Sequence, residues 1–196
     1  MTPMALQQIS EGRWLNPPKA WTFDKDALCV ETGHETDFWQ STYYGFRRDN
    51  GHFWHIPAPS EFTATITFQG DYETLYDQAG MMVRIDDTHW IKLGIEHSDD
   101  ITNFSIVVTR GQSDWSVFGQ PLLSGPQSVR LTLKDNALIA HFQRPDESWQ
   151  LMRVASFPMT ADAMIGPMAC SPQREGFKAR FLSFQLTDPI TNALHG

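Results

Sequence analysis

The sequence predicts an all-β fold: two antiparallel sheets packed face to face in a jelly-roll sandwich. Three observations lead there. Short stretches that alternate apolar and polar residues, EFTATITFQG and NFSIVVTR among them, recur along the whole chain. Turn-forming clusters such as Asp86-Asp87-Thr88, Gly111 and Asp135-Asn136 separate them at regular spacing. No window of about a dozen residues carries the apolar period of a helix. At 196 residues the chain has the length of one such sandwich, so a single domain over 1–196 is expected.

Taken in order, residues 14–23 (WLNPPKAWTF) place two prolines between aromatic anchors and read as an extended edge or lead-in. ALCVET, at 27–32, is the first short strand. A Tyr-rich strand then meets Asn50-Gly51, a hairpin signal, and returns through His52 to His55. In EFTATITFQG, Phe62, Ala64, Ile66 and Phe68 face one side and Thr63, Thr65 and Thr67 the other, which makes a half-buried strand. NFSIVVTR sends Phe104, Ile106 and Val108 inward, and Val129, Leu131 and Leu133 do the same before the Asp135-Asn136 turn. SWQLMRVASF, AMIGPMAC and FKARFLSFQLT bring the expected total to roughly thirteen or fourteen strands.

Residues 78–96, QAGMMVRIDDTHWIKLGIE, are the most informative stretch and read as a hairpin about Asp86-Asp87-Thr88. Ala79, Met81, Val83, Ile85, Ile91, Leu93 and Ile95 form one apolar face that a second layer must cover. The opposite face carries Gln78, Gly80, Met82 and Arg84, answered by Trp90, Lys92, Gly94 and Glu96. Glycines inside strands mark a bulge or a close approach, so this face reads as a concave ligand-receiving surface. The plainer reading is a cross-strand charge network of Arg84 and Lys92 with Glu96.

A formal charge of −8 and a pI near 5.2 argue against nucleic acid or an anionic membrane as partner, since both need clustered Lys and Arg. The first residues show no basic-then-apolar leader, and no apolar run is long enough to span a bilayer. A soluble, cytoplasmic protein is expected. Cys29 and Cys170 lack metal or redox spacing and read as two buried free thiols. Thirteen Phe, seven Trp and four Tyr suit both a β fold and sugar recognition.

Several segments carry a resemblance in the same order: Asp37-Phe38-Trp39, Tyr44-Gly45-Phe46, Asp49-Asn50-Gly51-His52, Asp77-Gln78-Ala79-Gly80 and WIKLGIE at 90–96. Ser113-Asp114-Trp115-Ser116, IGPMA at 165–169 and SPQREGF at 171–177 continue the series. Together they resemble the domain-of-unknown-function family that includes the fungal regulation-of-enolase protein, within the concanavalin A-like lectin and glucanase superfamily. The resemblance implies a jelly roll of two curved sheets with any ligand on the concave one; the family brings no established chemistry.

A retaining glycosidase needs two carboxylates about 5 Å apart. The glucanase pattern of carboxylates on alternate positions of one strand is absent, and Glu96 with Asp114 is the remaining catalytic candidate pair. The acidic pairs Asp86-Asp87 and Asp99-Asp100 fall in turns, and His52 and His55, three apart, point to opposite faces of a strand, so neither metal nor cofactor is expected. Sugar binding without catalysis fits better, because aromatic rings against apolar sugar faces and forked polar groups against hydroxyls are what it requires. Gln78, Arg84, Trp90, Lys92 and Glu96 supply the concave face, with Asp37 and Trp39, Asp114 and Trp115, and Arg174 as walls. The expected function is binding of a carbohydrate or similar polyhydroxylated metabolite. A glycoside-active enzyme and a regulatory protein-interaction module of carbohydrate metabolism are the alternatives; the protein partner of the latter is not identified by any residue.

Overall fold

The computed structural model describes residues 6–24, 26–119 and 125–195. Among them are sixteen strands in two seven-stranded antiparallel sheets and one separate hairpin. The first sheet runs β1 (Arg13–Leu15), β6 (His52–Pro57), β15 (Met164–Cys170), β8 (Gln78–Arg84), β9 (His89–Ser98), β10 (Ile101–Arg110) and β11 (Gln112–Gly119). The second runs β14 (Trp149–Ser156), β13 (Ala137–Gln143), β12 (Gln127–Lys134), β7 (Phe62–Gly70), β16 (Lys178–Thr187), β3 (Leu28–Glu31) and β2 (Ala20–Phe23). The hairpin pairs β4 (Phe38–Gln40) with β5 (Arg47–Asp49). The count exceeds the expected thirteen or fourteen because short edge pieces are included. The lead-in at 14–23 is two of these, β1 and β2, with Pro17-Pro18 where the chain crosses from one sheet to the other.

Period-two alternation builds the core. Phe62, Ala64, Ile66 and Phe68 of β7 and Val129, Leu131 and Leu133 of β12 face Met81, Val83, Ile91, Leu93, Phe104 and Ile106 of the first sheet, and each is at most 1% exposed. Each large aliphatic or aromatic side chain buried this way contributes about 1.5–3 kcal/mol. Phe104 also stacks on Phe142 across the sandwich, with ring centroids 4.3 Å apart.

The turns show which sequence signals hold. Asp135 and Asn136 have φ of 52° and 57°, and Asp99 and Asp100 have 54° and 59°, the left-handed pairs of tight hairpins. Asn50-Gly51 is no hairpin turn, because β5 and β6 lie in different sheets. Asn50 instead ties the hairpin's base: its Oδ1 accepts the Asp37 amide at 3.0 Å and its Nδ2 donates to the Glu35 carbonyl at 3.2 Å. Gly51 lies under Phe38, where a Cβ would sit 2.4 Å from the ring. Both cysteines are free thiols; Cys170 is buried and Cys29 only half-buried.

Candidate functional site

The β4–β5 hairpin folds over the outer face of the first sheet. Phe38, fully buried, packs on Trp90 with centroids 6.2 Å apart, and Phe53, Met82, Val107, Met168 and Cys170 complete a second small core there. Polar ties fix the hairpin's position: Gln40 Nε2 donates to Asp87 O at 2.7 Å, and the Gln40 amide donates to Ser113 Oγ at 2.9 Å. Arg84 grips Asp49 with two bonds of 2.6 and 2.8 Å, a forked geometry that Lys would not reproduce.

Past Phe38 the hairpin lifts from the sheet and leaves a cavity of ≈150 Å³. Its floor is Gln78, Lys92 and Glu96 of the sheet with Asp37 of the hairpin's base. Lys92 Nζ donates to Asp37 Oδ1 at 3.0 Å and to Gln78 Oε1 at 2.8 Å, which turns the Gln78 amide nitrogen away as a remaining donor. Glu96 Oε2 accepts from Ser105 Oγ at 3.1 Å, and that oxygen in turn accepts from the Trp115 indole at 3.0 Å. Gly80 and Gly94 stand directly opposite each other in this floor. A Cβ on either would lie 2.1 Å from a carbonyl oxygen of the other strand, so the close approach that excludes side chains here is between strands and not with a ligand. The bare patch lets the Lys92 side chain reach Gln78.

Burial works against the Lys92 charge, but Asp37 and Glu96 outweigh it and leave its pKa above the usual lysine value. Burial is also the main influence on Glu96; Lys92 opposes it and Asp37 reinforces it, and the carboxyl is raised to about 7. The floor therefore holds a buried Asp37–Lys92 ion pair beside a carboxyl whose burial favours its protonated form. It offers both donors and acceptors and little net charge.

Aromatic rings wall the floor. Trp39 and Trp115 meet edge to face at 6.5 Å, and Tyr76 meets Trp115 in the same way at 6.3 Å. The hydroxyls of Tyr44 and Tyr76 join at 2.8 Å across the rim, and this bond keeps Tyr76 protonated far above the ordinary tyrosine range. Phe46, Arg48, Pro172 and Gln173 complete the lining.

Of the residues singled out from sequence, Gln78, Lys92, Glu96, Asp37, Trp39 and Trp115 converge on this cavity, and four others do not. Trp90 is 0% exposed under Phe38, with its indole donating to Asp87 O. Arg84 is taken by Asp49, so the expected network of Arg84 and Lys92 with Glu96 is replaced by partners from the hairpin, Asp49 and Asp37. Asp114 faces away from Glu96, since Trp115 beside it pairs with Val107 on the outer face, and it bonds instead to Arg153 of β14. The Glu96–Asp114 pair therefore does not form. Arg174 sits behind the wall and donates from Nε and Nη2 to Asp77, which is 0% exposed and also accepts the Glu73 and Thr74 amides. That knot fixes the loop carrying Tyr76 and the turn carrying Pro172. Sequence reasoning missed Tyr44, Phe46 and Tyr76; Tyr43-Tyr44-Gly45-Phe46 is a loop with φ of 61° at Tyr43 and 73° at Gly45, not a strand.

His52 is satisfied structurally: its Nε2 accepts the Gly33 amide and its Nδ1 meets the Asn16 carbonyl at 2.6 Å. Among the described residues no three His, Cys, Asp or Glu side chains gather as a metal site. A larger groove of ≈330 Å³, lined by Trp21, Cys29, Lys178 and Arg180 among others, lies on the second sheet, but among the described residues no cluster of buried hydrogen-bonded polar side chains forms its floor.

Two seven-stranded antiparallel sheets packed face to face give this chain a concanavalin A-like β-sandwich fold. The chain belongs to the family described as "Protein of unknown function (DUF1349)", whose model matches residues 14–189. It is 44% identical over 188 residues to Regulation of enolase protein 1 of Saccharomyces cerevisiae, covering 96% of this chain and 95% of that one. A crystal structure of a functionally unknown protein from Saccharomyces cerevisiae is similar at a TM-score of 0.88 and 44% identity, over 93% of this chain and 98% of that one. The fold is also that of the legume lectin-like domain from Entamoeba histolytica, with a TM-score of 0.61 and 9% identity over 95% of this chain and 94% of that one. It is shared with one part of the Bacteroides ovatus xyloglucan PUL protein GH43B, with a TM-score of 0.66 and 17% identity over 86% of this chain and 34% of that one.

Proposed function

We propose that this chain, acting as one cytoplasmic domain, binds a neutral polyhydroxylated ligand, a carbohydrate ring or a metabolite of the same chemistry, beneath the β4–β5 hairpin. The observation that carries this reading is the buried Asp37–Lys92–Gln78 cluster with Glu96, walled by Trp39 and Trp115. A ring of hydroxyls needs donors and acceptors fixed side by side, and its apolar faces need aromatic surface; this floor and these walls supply both. Because the floor charges nearly cancel and Arg48 of the wall is held by Glu35, the site favours a neutral ligand over a phosphate or a sugar acid. The name of the yeast relative, Regulation of enolase protein 1, supports a regulatory role.

A thermal-shift screen against monosaccharides, sugar phosphates and sugar acids tests the reading. A neutral monosaccharide at a hundred times its Kd stabilises the folded state by about 2.7 kcal/mol, a rise of roughly 5–10 °C for a chain of this size. Glu96→Gln and Gln78→Ala should each reduce that rise. Shifts confined to phosphates and acids, or none at all, would contradict it.

Glycoside chemistry is the second reading, and the raised pKa of Glu96 favours it. Glu96 would then supply the proton, with Asp37 in place of Asp114 as the second carboxylate. Turnover of an aryl glycoside by the wild type, lost in Glu96→Gln while binding persists, is the result this reading requires.

A further inference from the structure

The pocket's aromatic walls do not stop at its rim. Trp39, Tyr44 and Trp115 also line a second, wider depression of ≈620 Å³, completed by Thr42 and Tyr43 of the hairpin loop and by Gln112–Asp114 of β11. Each ring along this path stands edge-on to the next: Trp115 to Trp39 at 6.5 Å, Trp39 to Tyr44 at 5.7 Å, and Tyr44 to Tyr43 at 5.1 Å. Trp39, Tyr44 and Trp115 thus border both the pocket that holds the Glu96 floor and the exposed shelf.

The loop that carries this shelf is a tight turn with left-handed residues. Ser41 has φ of 62° and Tyr43 has 61°, and Tyr43 is 94% exposed. Backbone hydrogen bonds close this turn, Ser41 N–H to the Phe46 carbonyl at 2.9 Å and Gly45 N–H to the Ser41 carbonyl at 2.8 Å, and so hold the Tyr43 ring out beside the rings of Tyr44 and Trp39, where it extends the exposed aromatic surface. The pocket itself is small: ≈150 Å³ lies below the range of sites for drug-sized ligands and suits one ring. The shelf is several times larger and bordered by β11.

We infer that the ligand is the end of an oligosaccharide chain, with its terminal ring in the pocket and the next ring lying on the shelf against Tyr43 and Trp39. This rests on the proposed function and adds the ligand's class. A lone monosaccharide fills only the inner part, whereas a dimer meets both.

Calorimetric titration of the intact protein with D-glucose, cellobiose and cellotriose, and with D-xylose, xylobiose and xylotriose, tests the inference. In at least one series the dimer should bind about tenfold tighter than the monomer, which is the effect of one added ring on an aromatic surface. Tyr43→Ala, a change at an exposed side chain, should abolish the dimer's advantage. A monomer that binds while its dimer binds no tighter overturns the inference and leaves the pocket reading standing, and so does a dimer advantage that survives Tyr43→Ala. Absence of binding by all six sugars overturns both.

Discussion

Lys92 and Asp37, fifty-five residues apart in sequence, meet at 3.0 Å with 5% and 9% of their side chains exposed. This bond joins the hairpin to the sheet and sets the floor of the pocket. Breaking a buried pair leaves one charge uncompensated, so Lys92→Met should cost about 3–5 kcal/mol in urea unfolding. Replacing both residues, in Lys92→Met with Asp37→Leu, should recover most of the loss. A double variant as unstable as the single one would show that the pair matters for more than mutual compensation.

Glu96 gives the fold a pH dependence of defined sign. Its folded pKa, raised to about 7 by burial, lies above the ordinary value of 4.5, so the folded state holds the proton over that interval and the unfolded state does not. The stabilisation is complete below pH 4.5 and is lost as pH rises to about 7, at most about 3 kcal/mol in all. Glu96→Gln should flatten this slope in unfolding curves taken between pH 5 and 8. An unchanged slope would assign it to another group.

Arg84 and Asp49 hold the other end of the hairpin through two short bonds. Asp49→Ala should cost about 1–3 kcal/mol, moderated because Asp49 is 36% exposed. Hydrogen exchange should show the amides of β4 and β5 losing protection while β7 and β12 keep theirs. Uniform loss across the sandwich would mean that the hairpin is not a separable unit.

Trp90 separates packing from recognition. It is fully buried against Phe38, so Trp90→Ala should cost about 3–5 kcal/mol, whereas Trp115→Ala, at a half-buried pocket wall, should weaken ligand binding with a much smaller stability loss. Equal destabilisation by the two would return Trp115 to the core.

How much of this the sequence carries depends on whether a signal is local. Strand alternation in β7, β9, β10 and β12 is local, and so are the Asp135-Asn136 and Asp99-Asp100 turns; all of them read correctly. The fold of the β4–β5 hairpin over the sheet is not. Its evidence lies in pairings at long separation, Asp49 with Arg84 and Asp37 with Lys92, which residue type alone does not reveal. Asn50-Gly51 misled because Gly51 is required for Phe38 to pass over it, not for a turn. Gly80 and Gly94 misled in the same way, since the groups in close approach were two strands. Asp114 was readable: as the neighbour of Trp115 on one strand, it had to face the other way.

The most direct test of the central claim uses the indole N–H signals of the tryptophans in a ¹H–¹⁵N spectrum, titrated with the neutral monosaccharide that gives the largest thermal shift. The account predicts that the Trp115 signal, whose proton is donated to Ser105 beside Glu96, moves together with that of Trp39, while Trp21 in the groove on the second sheet and Trp149 of β14 stay still. Movement of Trp21 or Trp149 with Trp115 and Trp39 unchanged would place the ligand elsewhere and contradict it.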